Sequence, residues 1–221
     1  MKEKPGAIVI GGHFQGLGVV RALGRHGIDV VVLDQEPCLS SKSRYTRRFL
    51  TTPSILNQND YYRFLIKLCD EENVQGSVVF PTDDETVNFL ARYKKKLVPY
   101  FTLFTPEWER VKFLYNKRLS YQLAERLSIP IPATRYPASR DEVMEIDLDF
   151  PLIIKPAVMR DFFRKTGKKV FRVNNQTELD RLYQKAVEII PADQILIQEE
   201  IPEVSRNLFS FCPLFSGGKT V

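Results

Sequence analysis

Residues 7–34 constrain the fold most. Ala7-Ile8-Val9-Ile10 is an unbroken apolar run, too short for a helix, and reads as a buried strand. Gly11-Gly12-His13-Phe14-Gln15-Gly16-Leu17-Gly18 follows as a glycine-rich turn. A helix after it carries Val19, Val20, Leu23 and Gly24 on one face and stops at Gly27. Ile28 to Leu33 is a second strand, closed by Asp34. A strand–turn–helix–strand unit of this kind is the usual start of a doubly wound parallel sheet.

Asp34 stands where a ribose-binding acid would in a dinucleotide site. The spacing opposes that reading, because Gly-x-Gly-x-x-Gly would need a third small residue where Arg21 stands, and starting from Gly11 or Gly12 fails too. The expectation is a tight turn without a bound dinucleotide, with an NAD(P)-dependent oxidoreductase as the minor alternative. His13 is either an exposed turn residue or the lining of a substrate cleft.

Alternation of strand and helix continues from Arg44 to Phe104. Arg44–Thr52 reads as a strand after a loop with Ser40, Ser41 and Ser43, and Asn59–Glu72 as an amphipathic helix. Ser77-Val78-Val79-Phe80 is a strand that ends in Pro81-Thr82-Asp83-Asp84-Glu85, and a helix runs on to Lys96. Thr82 or Asp83 caps that helix and Glu85 favours its dipole. The same acids sit at the carboxyl end of a strand, where open α/β sheets bind ligands. Asp83, Asp84 and His13 are therefore the candidates for substrate contact in this domain.

Composition narrows the function classes. The 32 Lys and Arg are interspersed with 27 Asp and Glu, giving a net charge of +5 without a long basic block. That favours anionic small ligands over nucleic acid. The three cysteines, Cys38, Cys69 and Cys212, have neither metal nor redox spacing and read as reduced thiols of a cytoplasmic protein. No apolar run approaches the ~20 residues that span a bilayer, so no membrane association is expected.

The second half is organised around Phe150-Pro151-Leu152-Ile153-Ile154-Lys155-Pro156. This is a buried strand delivering a lysine, and a desolvated ammonium is costly unless it meets a fixed anion. Ile195-Leu196-Ile197-Gln198-Glu199-Glu200-Ile201-Pro202 repeats the design with an acidic end. Two such strand ends suit the two ends of a nucleotide. Between them, Met159–Lys168 is a charged loop, either a flap over phosphates or a solvated hairpin turn. Lys169–Val173 is a strand and Thr177–Ile189 a helix. Leu208–Phe215 is an apolar strand whose hairpin partner is missing, which suggests a fragment and an edge able to pair with another chain as a homodimer.

Taken in order, these features resemble the ATP-grasp superfamily, closest to its carboxylate–amine ligase branch with the D-aspartate ligase-like proteins. Gly11–Gly18 opens a Rossmann-like domain; Phe80–Glu85 looks like the family's acidic strand end. Asn116-Lys117 stands where the family has Asp-Lys, and Ser128-Ile129-Pro130-Ile131-Pro132-Ala133-Thr134 looks like its Gly-Ile-Pro-x-Pro-x-Thr turn. Phe150–Pro156 matches the lysine strand, and Gln198–Pro202 the hinge of the nucleotide clamp.

The resemblance implies an α/β chain. A Rossmann-like parallel-sheet pre-ATP-grasp domain would span 1–107. The linking helices and small α+β nucleotide-binding lobe of the ATP-grasp domain would span 108–205, and 206–221 would start a truncated C-terminal lobe. ATP and Mg²⁺ are the implied cofactors. Lys117, Lys155 and Lys169 would bind phosphates; Glu199, Glu200 and the Ile201 backbone would hold adenine and ribose. Taken alone, Lys117 reads as a surface ion pair and Glu199–Glu200 as an exposed strand end. Asn116 in place of Asp, and Glu203-Val204 in place of Gly-Gly, depart from the pattern. Catalytic groups, metal ligands included, are expected in the C-terminal lobe, outside this chain. The implied activity of the full enzyme joins a small-molecule carboxylate to an amine; a non-catalytic nucleotide-binding or scaffold module is the rival.

Overall fold

The structure is a computed structural model. It describes residues 6–202, 209–211, 213, 215–216 and 218–220. The chain divides into two compact units, Met1–Tyr115 and Asn116–Val221.

In the first unit the elements run β1 (Ala7–Ile10), α1 (Phe14–Gly24), β2 (Val30–Asp34), β3 (Thr46–Thr51), α2 (Gln58–Glu72), β4 (Val78–Pro81), α3 (Asp84–Leu97), β5 (Thr102–Leu103) and α4 (Trp108–Tyr115). The five strands form one parallel sheet in the order β3-β2-β1-β4-β5. Alternate residues of β1 and β2 serve opposite faces. Ile8, Ile10, Val31 and Leu33 meet α2 and α3 through Tyr61, Leu65, Phe89 and Leu90. Ala7, Val9, Val30 and Val32 meet Val20 of α1. Burial on both faces explains why these strands read as continuous apolar runs. Helix α4 closes the unit against α3, with the Arg92 guanidinium 3.7 Å from the Trp108 ring and the Tyr115 hydroxyl donating to Glu85 at 2.9 Å.

Helix α1 starts at Phe14, four residues before the glycine-rich stretch ends, so Gly16 and Gly18 are helical and the turn itself is Gly11-Gly12-His13. Gly11 has φ +89°, and Asp34 fastens the turn by accepting the Gly12 amide at 2.8 Å. A Cβ on Gly16 would lie 2.1 Å from the Gly11 carbonyl oxygen. Gly11 and Gly16 thus fill the turn and helix-packing positions of a dinucleotide fingerprint, while His13 stands at the position that lets backbone approach a pyrophosphate.

The second unit runs α5 (Lys117–Arg126), β6 (Thr134–Arg135), α6 (Arg140–Met144), β7 (Leu152–Pro156), α7 (Met159–Thr166), β8 (Phe171–Val173), α8 (Gln176–Val187) and β9 (Ile195–Glu199). Its four strands form an antiparallel sheet in the order β6-β9-β7-β8. One face of it, through Leu152, Ile154, Phe171, Val173, Ile195 and Ile197, packs on α6, α7 and α8.

Four expectations are corrected here. Met159–Lys168 is neither a flap nor a hairpin turn: Met159–Thr166 is helix α7, stopped by Gly167 at φ +65°. Phe162 holds it down, wholly buried with its ring 4.9 Å from that of Phe171. Strand β8 begins at Phe171, which leaves Lys169 exposed ahead of it. Leu208–Phe215 is not a continuous strand, for Phe209 to Phe211 have no regular structure; Leu208, Cys212 and Leu214 lie outside the described residues. The hairpin partner expected to be missing is present, since β10 (Phe215–Ser216) pairs antiparallel with β11 (Lys219–Thr220). Among the described residues no helix is long and apolar enough to cross a membrane.

Candidate functional site

The second face of the β6-β9-β7-β8 sheet is polar where a sheet face is ordinarily apolar. Register and alternation place Thr134, Ile153, Lys155, Arg172, Leu196 and Gln198 on it. Lys155 is only 8% exposed. Its ammonium donates to the Tyr121 hydroxyl at 2.7 Å and to Gln198 Oε1 at 2.5 Å, and lies 4.4 Å from the Tyr121 ring centroid. Gln198 in turn donates through Nε2 to Thr134 Oγ1 at 2.6 Å, and Thr134 to the Pro132 carbonyl at 2.7 Å. Each member of this buried polar chain has at least one hydrogen-bond partner, as burial of polar groups requires. Burial draws the Lys155 pKa down; the hydrogen bond to Tyr121 opposes that, and the charge of Lys117 adds to the lowering.

Lys117 reaches this neighbourhood through the backbone. Asn116 caps α5, its side chain accepting the Leu119 amide at 3.2 Å, so Lys117 is the first helical residue. The Lys117 amide donates to the Ala157 carbonyl, just past β7, at 2.9 Å. One turn further along α5 stands Tyr121. Asparagine serves this cap as well as aspartate would, since either supplies the accepting oxygen.

The acidic strand end splits. Glu200 shares the face of Lys155 and pairs with Arg172 of β8. Glu199 alternates to the other face, where its carboxylate accepts the Ala133 amide at 2.9 Å, and its own amide donates to the Ala133 carbonyl. Ile201 is half exposed beyond the sheet. The structure therefore brings Lys155 together with Tyr121, Gln198 and Thr134, none of which was singled out as a site residue from the sequence, and sets Lys117 near enough to act on the Lys155 charge, while Glu200 pairs with Arg172 further along the same face. Lys169 is exposed and outside that network. A polar residue in the alternating run Ile195-Leu196-Ile197-Gln198, and a tyrosine four residues after Lys117, were the available signals.

In the first unit Asp83 caps α3, accepting the Thr86 amide at 2.8 Å and the Thr86 hydroxyl at 2.9 Å. Asp83, Asp34, Gln35, Thr52, Tyr61 and Thr86 line a cavity of about 40 Å³ at the carboxyl ends of β1 and β2. The buried Tyr61 hydroxyl is kept protonated by desolvation and by the Asp83 and Asp34 carboxylates. His13 and Asp84 are exposed, at the start of α1 and in the first turn of α3. Asp83→Ala is expected to destabilise the unit by about 1 kcal/mol, the worth of an N-cap. The single tryptophan, Trp108, lies in this unit and reports the drop in urea midpoint.

No protein-family model matches the sequence, and no curated protein matches it. Solved structures do match. The L-amino acid ligase of Bacillus licheniformis superposes with a TM-score of 0.66 at 16% identity, over 91% of this chain and 45% of that one. The biotin carboxylase domain of the Hydrogenobacter thermophilus 2-oxoglutarate carboxylase, solved with MgADP, gives 0.66 at 18%, over 89% and 44%. The carboxyaminoimidazole ribonucleotide synthase of Aspergillus clavatus, solved with ATP, gives 0.65 at 20%, over 91% and 48%. The chain shares its fold with part of each of these structures. The chain spans about half the length of the solved structures it matches. Among its described residues no three His, Cys, Asp or Glu side chains converge as a metal site.

Proposed function

We propose that this chain supplies part of the nucleotide site of an ATP-dependent carboxylate–amine ligase, with Lys155 and Lys117 holding phosphate oxygens. The observation that carries the proposal is Lys155 itself. An ammonium has three N–H donors. Tyr121 and Gln198 accept two of them, and the third is left for an anion on the polar sheet face. Two lysines close enough for one to depress the pKa of the other repel each other, and a polyphosphate between them removes that repulsion. The donor set on this face therefore fits nucleotide phosphates.

Glu200, Ile201 and the backbone leaving β9 lie at the other end of the strand and are assigned to the adenine and ribose, with Glu199 acting through its main chain. Lys169 is assigned a peripheral phosphate contact. In the reaction class, phosphoryl transfer from ATP turns a carboxylate oxygen into a leaving group and an amine then takes its place. Asp83, which lines the first-unit cavity, is assigned to the amine ahead of His13 and Asp84, which do not line it. Mg²⁺ would be held by groups outside the described residues. Solved relatives of the fold carry ATP, ADP or MgADP, which agrees with the choice of nucleotide.

Calorimetric titration of MgATP into the chain and into Lys155→Ala tests the assignment. Binding is expected in the parent and a loss of at least about tenfold in the variant, the worth of one charge-assisted hydrogen bond. Equal affinities would remove Lys155, and with it the site, from the account.

A further inference from the structure

We propose that Tyr121 is a positioning residue: its hydroxyl, with Gln198 Oε1, holds the Lys155 ammonium in place on the polar sheet face. The inference builds on the nucleotide reading above but concerns a property of Lys155 that exists without any ligand. Lysine is a poor choice for a strand that is buried along its length, because desolvation favours the neutral amine. The position is tenable only if acceptors replace water. Tyr121 supplies one at 2.7 Å and presents its ring 4.4 Å from the same ammonium, so the contact combines a hydrogen bond with a cation–π interaction. Gln198, anchored through Thr134, supplies the other at 2.5 Å.

The location of Tyr121 makes it more than an acceptor. It lies four residues after Lys117, on the same face of α5. The backbone bond from Lys117 to Ala157 ties the start of that helix to the end of β7. One helix thus presents one cation and fixes the other. The groups facing Lys155 are Tyr121 and Lys117 from α5 and the uncharged Gln198 and Thr134 from β9 and β6. Arg172 and Glu200 share the face but neutralise each other. Of these, Tyr121 raises the Lys155 pKa and Lys117 lowers it. Loss of the hydroxyl therefore moves the titration down, and the ammonium is lost at a lower pH than in the parent.

The test follows Lys155 directly. Chain labelled with ¹³C at lysine Cε is titrated by NMR, with the Lys155 resonance assigned by its disappearance in Lys155→Met. In Tyr121→Phe, which keeps the ring, the midpoint is expected to fall by about one pH unit, the equivalent of one hydrogen bond. Tyr121→Leu, which lacks the ring too, is expected to fall further, and either variant with the parent's circular dichroism spectrum gives the answer. An unchanged midpoint in a folded variant overturns the proposal, since a merely structural tyrosine would leave it where it was. MgATP is then added to each sample. A raised Lys155 midpoint in the parent and a weaker response in Tyr121→Phe support the link to nucleotide. A parent that gives no response, with the Tyr121 effect intact, overturns the nucleotide reading and not the positioning role.

Discussion

Gly16→Ala is expected to destabilise the first unit by about 3 kcal/mol, the upper end of ordinary overpacking costs. The added methyl would stand 2.1 Å from the Gly11 carbonyl oxygen and 3.1 Å from its carbon. Both atoms belong to the main chain of a turn that Asp34 and Thr82 already fix, through the Gly12 amide and the Gly11 carbonyl respectively. Neither can swing aside as a side chain would, so α1 must lift off β1 and expose Val9 and Val20, which now bury each other's surroundings. Gly18→Ala is the control. It lies two residues on in the same helix, exposed, with nothing within 4 Å of the added Cβ. There the substitution relieves the cost of a helical glycine and is expected to stabilise by about 0.5–1 kcal/mol. Urea denaturation followed by Trp108 fluorescence should move in opposite directions for the two variants. A fall of equal size in both would mean that the helix begins after Gly18 and that the close approach does not exist.

That pair shows why part of this fold was legible in the sequence and part was not. Strand β1, its parallel neighbours and the Asp83 cap follow from short-range rules: apolar runs buried on both faces, and an acidic residue directly before a helix. The start of α1 does not, because glycine weakens helix propensity and a glycine-rich stretch looks like a turn for its whole length. Packing of Gly16 against the Gly11 carbonyl, five sequence positions away in the turn before the helix, decides the matter. The site divides in the same way. Lys155 was visible as an anomaly, a cation at the end of an apolar strand. Its acceptors were not, because alternation assigns Gln198 to a face without saying what covers that face. Only the packing of α5 onto the sheet turns Tyr121, an ordinary helical tyrosine in the sequence, into the partner of Lys155. Glu199 and Glu200, adjacent in the chain, were read as a unit, yet the period of two in a strand sends their side chains to opposite faces.

Phe162→Ala is expected to cost about 3–5 kcal/mol, the range for deleting a fully buried aromatic ring. In the sequence, Met159-Arg160-Asp161-Phe162-Phe163-Arg164-Lys165-Thr166-Gly167-Lys168 is dominated by charge, and charge density suggested a solvated connection. The apolar residues nonetheless fall at Met159, Phe162 and Phe163, three and four apart, and Gly167 supplies the left-handed stop, so the helical pattern was present beneath the charges. Phe162 is wholly buried against Phe171 in the core shared by β7, β8 and α8, whereas Phe163 is 46% exposed. Asp161 is paired with Arg160 and Arg164 across the outer surface, which lets the helix carry its charges without burying them. Phe162→Ala should therefore lower the thermal midpoint of the second unit, read by circular dichroism, while Phe163→Ala leaves it within about 1 kcal/mol of the parent. A flexible flap would predict the reverse emphasis, with neither ring mattering to stability. If both variants melt as the parent does, α7 is not a core element of the second unit.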